Sequence, residues 1–185
     1  METLEVAKRN VGDLHWLATL LTGCRKIAIE VTFDAISSPQ EANAFFSNWM
    51  HAWSRRMVIA KALSAVSEDL ARSARRTAFR RGETAAFPPQ SWTLDRQTTR
   101  PDLERALLKV DIFPRAAVLL VLFEKVPLHD AAILLNSEPD LVRKALAVGA
   151  RELTINLATS QGWKSDGTGN TQREEPYVGA TEFAS

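Results

Sequence analysis

The sequence of 185 residues contains a single cysteine, Cys24, and no long apolar run. One cysteine excludes a disulfide framework and any metal site built from several cysteines. No apolar run reaches the ~18 residues that a membrane-spanning helix needs. The opening residues, METLEVAKRN, carry acidic groups and lead into no signal-peptide core. We therefore expect a cytoplasmic protein without a membrane span.

Residue patterns that would indicate an enzyme are also scarce. The three histidines, His15, His51 and His129, lie far apart and lack the spacing of metal ligands. There is no glycine-rich phosphate-binding loop, and no general base can be identified for Cys24. We expect a protein that is not an enzyme and that uses neither a cofactor nor a metal.

The net charge is small, but the charges are unevenly distributed. The 23 basic and 22 acidic residues leave a net charge of +1, which by itself indicates no polyanionic partner. Residues 48–81, however, contain eight basic and two acidic residues, whereas residues 100–160 contain eight of each. A polyanion would therefore be attracted most strongly to the stretch 48–81.

The spacing of apolar residues predicts helices and no strand alternation. Leucines three and four residues apart predict a helix that ends near Gly23. Residues 25–36 fit a second helix, with Ile27, Val31 and either Ile36 or Phe33 buried. Glycine and proline are both absent from 40 to 81, which favours one long helix over about 41–78.

A change in composition divides the chain into two parts. Residues 82–100 contain two prolines, a glycine and several Ser and Thr without a sustained period, which predicts a linker. The sequence thus predicts an all-α protein of two small helical modules, 1–81 and 101–159. The nearly all-apolar segment 115–124 should form the buried centre of the second module. A Gly/Ser/Thr-rich flexible tail is expected at 160–185.

The strongest local pattern lies in the second module. Residues 128–135 predict a short helix, Asn136 tolerates the left-handed conformation of a tight turn, and a longer helix follows at 138–158. Ser137 is a suitable N-cap, and Pro139 fits the first turn of a helix. This spacing predicts a helix-turn-helix, and an ordinary helix pair is the alternative.

A helix that reads duplex DNA should expose several basic and polar side chains. The predicted helix 138–158 carries three cations, set against three nearby acids. The cations, which are the candidate duplex contacts, are Arg143, Lys144 and Arg151, and the acids are Glu138, Asp140 and Glu152. The helix therefore offers a weak surface for nucleic acid.

Aromatic and basic residues lie close together at the start of the cationic stretch. Bases of single-stranded nucleic acid stack on aromatic rings for ~1–3 kcal/mol each, while cations neutralise the phosphates. The candidates for this chemistry are Trp49, Trp53, Arg55, Arg56 and Lys61. The alternative is that the tryptophans belong to the core and the cations form a solvated face.

Glu30 and Asp34 are a third candidate pair. They are four residues apart and therefore share one face of the predicted second helix. No His or Lys is placed to make them an acid/base pair. A surface that meets a basic partner is the functional interpretation, and a solvated face is the alternative.

In this order, these features resemble a bacterial RNA polymerase sigma factor of the extracytoplasmic-function type. The resemblance covers about 4–80 and 101–158. The segment LHWLATLLTG at 14–23 is similar to the family's opening helix, which ends in Leu-Thr-Gly, and Phe46-x-x-Trp49 matches the start of its minus-ten-reading helix. In the second module, Pro114-Arg115 followed by Val118-Leu119 resembles the family's Leu-Pro-x-Arg-x-Arg-x-Val segment.

The resemblance implies a role for each candidate group. Glu30 and Asp34 fall on acidic positions with which the family binds the clamp helices of the polymerase largest subunit. The tryptophans and cations of the first module would face the minus-ten strand, and Arg143, Lys144 and Arg151 the minus-35 duplex. The implied partners are core RNA polymerase and promoter DNA, with an anti-sigma factor as a further partner.

The sequence also departs from the family pattern. Ile29 and Phe33 stand where the family prefers an acid and a glutamine, and Ala145, Ala147 and Val148 replace positions that are often basic or polar. These departures leave a second hypothesis open. The chain would then be a sigma-like protein-interaction or regulatory module that has lost promoter DNA binding.

Overall fold

The computed structural model describes residues 2–37, 47–80, 88 and 98–163. All secondary structure in these ranges is helical, which confirms the predicted all-α class for them. A π-helical turn, Leu119–Phe123, continues the sixth helix. In chain order the helices are α1 Glu2–Thr22, α2 Arg25–Ile36, α3 Ser47–Ala65, α4 Ser67–Phe79, α5 Arg100–Leu108, α6 Ile112–Val118, α7 Leu128–Leu134 and α8 Pro139–Ser160.

Helices α1, α2 and α3 pack on one another and form the amino-terminal bundle. The leucine face predicted for α1 is buried at Leu14, Leu17, Leu20 and Leu21. The helix ends where Gly23 adopts a φ of +70°, and the Gly23 N–H donates a hydrogen bond to the Thr19 carbonyl oxygen at 2.8 Å. Glycine adopts this left-handed conformation without the steric cost that a Cβ brings.

The single long helix predicted over 41–78 is wrong, because the described part of that range is interrupted at Val66. This residue has φ −117° and ψ 20°, lies between α3 and α4, and is buried. Helix α4 leaves the amino-terminal bundle and packs mainly against α6 and α8. Neither glycine nor proline lies at the break. The direction of α4 is determined by its contacts with α6 and α8 rather than by its local sequence.

Helices α4 to α8 form the carboxy-terminal bundle, with α6 at its centre. The buried centre predicted at 115–124 is confirmed for 115–120, where every residue is buried. It is wrong for the end of the segment, because Leu122 is 42% and Phe123 40% exposed. Ser73 of α4 accepts a hydrogen bond from the Phe113 backbone N–H at 3.1 Å, which joins α4 to the start of α6. One hydrophobic cluster contains residues of both bundles.

The connection between α7 and α8 is a tight turn at Asn136, whose φ is +46°. The left-handed conformation predicted for Asn136 is therefore confirmed. The N-cap of α8 is Glu138 rather than the expected Ser137, and no side chain caps this helix. The Ser137 backbone N–H instead donates to the Ala132 carbonyl oxygen at 3.0 Å, so this residue completes the turn.

Among the described helices, the chain passes from the amino-terminal to the carboxy-terminal bundle at Val66. The predicted linker 82–100 follows α4 and precedes α5, two helices of the carboxy-terminal bundle. Most of that linker, and the predicted tail from residue 164 onward, lie outside the described residues.

Candidate nucleic-acid and protein interface

Arg55 of α3, a predicted DNA contact, forms an ion pair with Glu124 of the carboxy-terminal bundle. The Arg55 Nε donates to Glu124 Oε2 at 2.9 Å, and Nη2 donates to Oε1. The Glu124 side chain is only 10% exposed. The hydrogen bond to Glu124 raises the pKa of Arg55 above its ordinary value, although burial acts in the opposite direction. Arg55 is thus engaged within the molecule.

The other candidates on α3 have different surroundings. Lys61 Nζ lies 3.2 Å from Asp34 Oδ2, so a predicted DNA contact pairs with a predicted polymerase contact. Arg56 is exposed and has no ion-pair partner within the described ranges. Trp53 is half-buried, so it is neither a fully buried core residue nor a fully exposed ring on which a base could stack. Trp49 belongs to α3, but its side chain lies outside the described part.

Helix α2 presents an apolar and acidic face to solvent. Phe33 is 70% exposed, Ile29 59% and Ile36 42%, and Glu30 is exposed beside them. Val31 is buried as expected, but the expectation that Phe33 or Ile36 would be buried with it is wrong. Small residues, Ala28 and Ala35, occupy the buried face instead, because α1 and α3 approach closely there. We call Ile29, Glu30, Phe33 and Ile36 the α2 face.

A groove of about 540 Å³ lies next to the α2 face, between α1, α2 and α5. Ile29 lines one side of it, and Trp16 of α1 lines another. The Arg100 guanidinium carbon is 4.4 Å from the centroid of the Trp16 ring, a cation–π geometry. The groove therefore joins the α2 face to a contact between the two bundles.

The three cations of α8 are all engaged within the molecule. Arg143 forms an ion pair with Asp140, one turn earlier in the same helix. Lys144 Nζ donates to the Ala78 carbonyl oxygen at 2.9 Å, which ties α8 to the end of α4. Arg151 is half-buried and has an interaction partner of its own. In this arrangement, α8 offers duplex DNA no cation that is free of a partner.

The end of α4 carries an exposed aromatic residue that sequence reasoning did not select. Phe79 is 86% exposed and lines a groove of about 560 Å³ with Arg75 and Arg76. Arg75 is exposed and has no ion-pair partner among the residues described. The signal in the sequence was the i, i+4 spacing of Arg75 and Phe79, which places them on one helix face.

Two acids of the carboxy-terminal bundle form ion pairs with arginines at the end of α4. Arg76 donates to both carboxylate oxygens of Asp111 at 2.9–3.1 Å, and Arg80 pairs with Glu152. The hydrogen bond to Asp111 raises the pKa of Arg76. The cationic stretch is thus partly neutralised by long-range pairs, and Arg56 and Arg75 are its exposed cations without ion-pair partners in the described segments.

The part of the chain that the structure describes contains no group of three or more His, Cys, Asp or Glu that could hold a metal ion. It also contains no helix that is both long and apolar enough to span a membrane. No protein-family model matches this sequence, and no curated protein or solved structure is significantly similar to it. The candidate functions rest on the geometry above and on the residues that carry the resemblance.

Proposed function

We propose that this protein is a sigma-like transcription initiation protein that binds core RNA polymerase and promoter DNA. The observation that carries the proposal is the α2 face, which exposes Phe33 and Ile29 beside Glu30. Exposed apolar patches of this kind mark surfaces that bind other proteins. The resemblance to sigma factors assigns polymerase binding to this same helix.

The chemistry of the α2 face fits a partner surface that is apolar and basic. Burying a phenylalanine or isoleucine side chain stabilises a contact by about 1.5–3 kcal/mol, and a basic partner residue would pair with Glu30. Asp34 is held by Lys61 at 3.2 Å, an exposed pair that a stronger basic partner can replace. Glu30 is therefore the primary acidic contact, and Asp34 is the secondary one.

In the proposed complex, the melted promoter strand lies against α3 and α4. Arg56 and Arg75 supply cations, and Phe79 supplies an aromatic face on which a base can stack. Trp49, Trp53, Arg55 and Lys61 remain candidates for the same strand. Helices α7 and α8 would act as a helix-turn-helix on the minus-35 duplex.

The contacts of α8 favour the second candidate function, a sigma-like regulatory module that no longer reads duplex DNA. Arg143 is paired with Asp140, and Lys144 is bonded to the Ala78 carbonyl oxygen. A duplex would have to break these contacts before it could use the cations. This candidate retains polymerase binding through α2 and predicts no salt-sensitive affinity for duplex DNA.

Phe33 and Phe79, two exposed phenylalanines on different helices, give a matched test of the first proposal. Binding of the labelled protein to core RNA polymerase is measured by fluorescence anisotropy for the wild type, Phe33→Ala and Phe79→Ala. We expect Phe33→Ala to weaken binding at least tenfold and Phe79→Ala to leave it unchanged. Absence of polymerase binding by the wild type, together with absence of promoter-dependent transcription, would overturn the proposal.

A second measurement separates the two candidates. A pool of random-sequence duplexes is offered to the protein–polymerase complex at several salt concentrations, and the retained sequences are determined. A retained consensus with salt-dependent affinity, weakened by Arg143→Gln, supports duplex reading and rejects the regulatory module. Polymerase binding without any retained consensus supports the regulatory module.

A further inference from the structure

We propose that the two bundles form a closed state held by a polar clasp, and that nucleic acid opens this state by competing with Glu124 for Arg55. The clasp consists of six side chains, three from each bundle: Asp13, Trp16, Arg55, Arg100, Glu104 and Glu124. The role of nucleic acid rests on the proposed function, whereas the closed and open states do not.

The path of the chain between the two bundles favours a hinge at Val66. Every other pair of consecutive helices in the described ranges lies within one bundle, so these helices are linked across the bundles at Val66. No side chain caps the start of α4 at this break. A single short connection between packed units is the arrangement that a hinge requires, because few backbone angles must change when the units separate.

Polar and charged side chains connect the two bundles at two places. On one side, Arg100 Nη1 lies 2.9 Å from Asp13 Oδ1 and its guanidinium covers the Trp16 ring, while Trp16 Nε1 donates to Glu104 Oε2 at 3.1 Å. On the other side, Arg55 pairs with Glu124. These polar contacts are partly exposed, so salt and competing charges can weaken them.

A groove separates part of α3 from α7. An uncharged groove of about 410 Å³ lies between the α3–α4 segment and α7. Leu63 lines one wall, and Ile133, which is 66% exposed, lines the other. The apolar contact between the bundles runs instead through α1 and α6. Separation of the two walls would therefore widen an existing groove and expose Leu63, which is buried in the closed state.

The competition follows from the geometry of arginine. A guanidinium binds a carboxylate and a phosphate with the same two-pronged hydrogen bonding. In the closed state Glu124 occupies Arg55, so a phosphate can bind Arg55 only where the pair has separated. A ligand that binds only the open state shifts the population towards it.

The opening can be measured directly in the full-length chain. Spin labels are placed by Ser37→Cys in the amino-terminal bundle and Thr159→Cys in the carboxy-terminal bundle, in a Cys24→Ser background, and the distance between them is measured by pulsed electron resonance. We expect one short distance at low salt, and an additional longer distance after addition of a thymidine oligonucleotide.

Matched substitutions identify the pair that holds the closed state. Glu124→Gln should raise the open population about fivefold, and Asp13→Asn, at the other side of the clasp, should act in the same direction. Glu152→Gln makes the same chemical change at a pair within the carboxy-terminal bundle and should leave the distance unchanged. The proposal would be overturned if the distance between the spin labels changes neither in the Glu124→Gln and Asp13→Asn variants nor on addition of the oligonucleotide.

Affinity for the oligonucleotide provides a second readout. Glu124→Gln and Arg55→Gln both break the ion pair, but only Glu124→Gln leaves the cation in place. Glu124→Gln should therefore raise the affinity about fivefold, while Arg55→Gln should lower it. Equal effects of the two substitutions would show that Arg55 is not the competing group. Polymerase is absent from both measurements, so this inference and the proposed function can fail separately.

Discussion

Gly149 of α8 lies directly against Pro114 of α6. A Cβ built on Gly149 would lie 2.7 Å from the Pro114 carbonyl oxygen and 2.8 Å from Val118 Cγ2, both closer than van der Waals contact permits. Helices α6 and α8 therefore approach each other to a distance that only glycine allows at this crossing. The contact holds the buried centre of the carboxy-terminal bundle.

Substitution of Gly149 by alanine should destabilise the protein by about 1–3 kcal/mol, because the added methyl group forces apart two packed helices. The measurement is the free energy of unfolding from urea titration followed by circular dichroism. Gly12→Ala is the control, since nothing lies within 4 Å of its Cβ position in α1. The control should be stabilising by up to about 1 kcal/mol through helix propensity. Equal effects at the two positions would contradict the close approach.

Arg115 is the buried cation that joins the end of α5 to the core. It is 5% exposed, and its Nη1 donates to the Leu108 and Val110 carbonyl oxygens at 3.3 and 3.1 Å. Burial lowers the pKa of Arg115, while the charge of Asp111 acts in the opposite direction. Arg115→Ala should cost about 3 kcal/mol, because it leaves a cavity and two carbonyl groups without partners.

The Arg115 prediction has an exposed arginine as its control. Arg105 pairs with Asp102, one turn away on α5, and its side chain is 71% exposed. Arg105→Ala should change stability by less than about 0.5 kcal/mol. Arg115→Lys should not restore full stability, since an ammonium is more strongly hydrated than a guanidinium and costs more to bury. Full rescue by lysine, read from the same urea titrations, would rule out this account.

Asp111 should make the stability of the protein depend on pH in the acidic range. Burial acts to raise its pKa, but hydrogen bonds from Arg76, Ser73 and the Ile112 N–H, with the charge of Arg76, hold the pKa below its ordinary value. A lowered pKa in the folded state means that the stabilisation is present above the unfolded-state pKa, about 3.9. It is lost as the pH falls through the folded-state pKa.

The test is the urea midpoint measured from neutral pH down to below the unfolded-state pKa of Asp111. The wild type should lose stability on acidification more steeply than Asp111→Asn, which cannot titrate. Asp140→Asn replaces an exposed carboxylate on α8 and should retain the wild-type steepness. If Asp111→Asn follows the wild-type profile throughout, Asp111 is not the responsible group.

Arg56 and Arg75, which have no ion-pair partner among the described residues, should dominate binding to single-stranded DNA. Each phosphate contact contributes about 0.7 to the slope of log affinity against log salt for single strands. Arg56→Gln and Arg75→Gln should each make the slope less negative by about this amount. Arg72→Gln should have a smaller effect, because Arg72 pairs with Asp69. Fluorescence anisotropy with a labelled oligonucleotide at graded salt gives the slopes, and equal slopes for all three variants would refute the assignment.

Some features of the fold could be predicted because they depend on residues near one another in sequence. The leucine spacing of α1 identified its buried face, and the apolar segment after Pro114 identified the buried centre. The left-handed turn at Asn136 could be predicted because asparagine tolerates this backbone conformation. Each of these inferences uses helix periodicity or backbone sterics, which a few residues determine.

Other features could not be predicted because they depend on distant residues. The break at Val66 has no glycine or proline, and α4 turns there because α6 and α8 provide its apolar neighbours. The exposure of Phe33 contradicts the expected burial, since alanines fill the narrow space beside α1 and α3. Arg55 and Glu124 are 69 positions apart, so no local sequence pattern predicts their ion pair.

The sequence by itself determined that the chain is helical, where its main apolar faces lie, and that its basic residues are concentrated in 48–81. These properties are local, because helix periodicity and charge can be counted along the chain. The tertiary structure decided which cations are free, since Arg55 and Arg76 meet acids that are close only after folding. Charge compensation acts through space, and the exposed cations could therefore be identified only in the folded molecule.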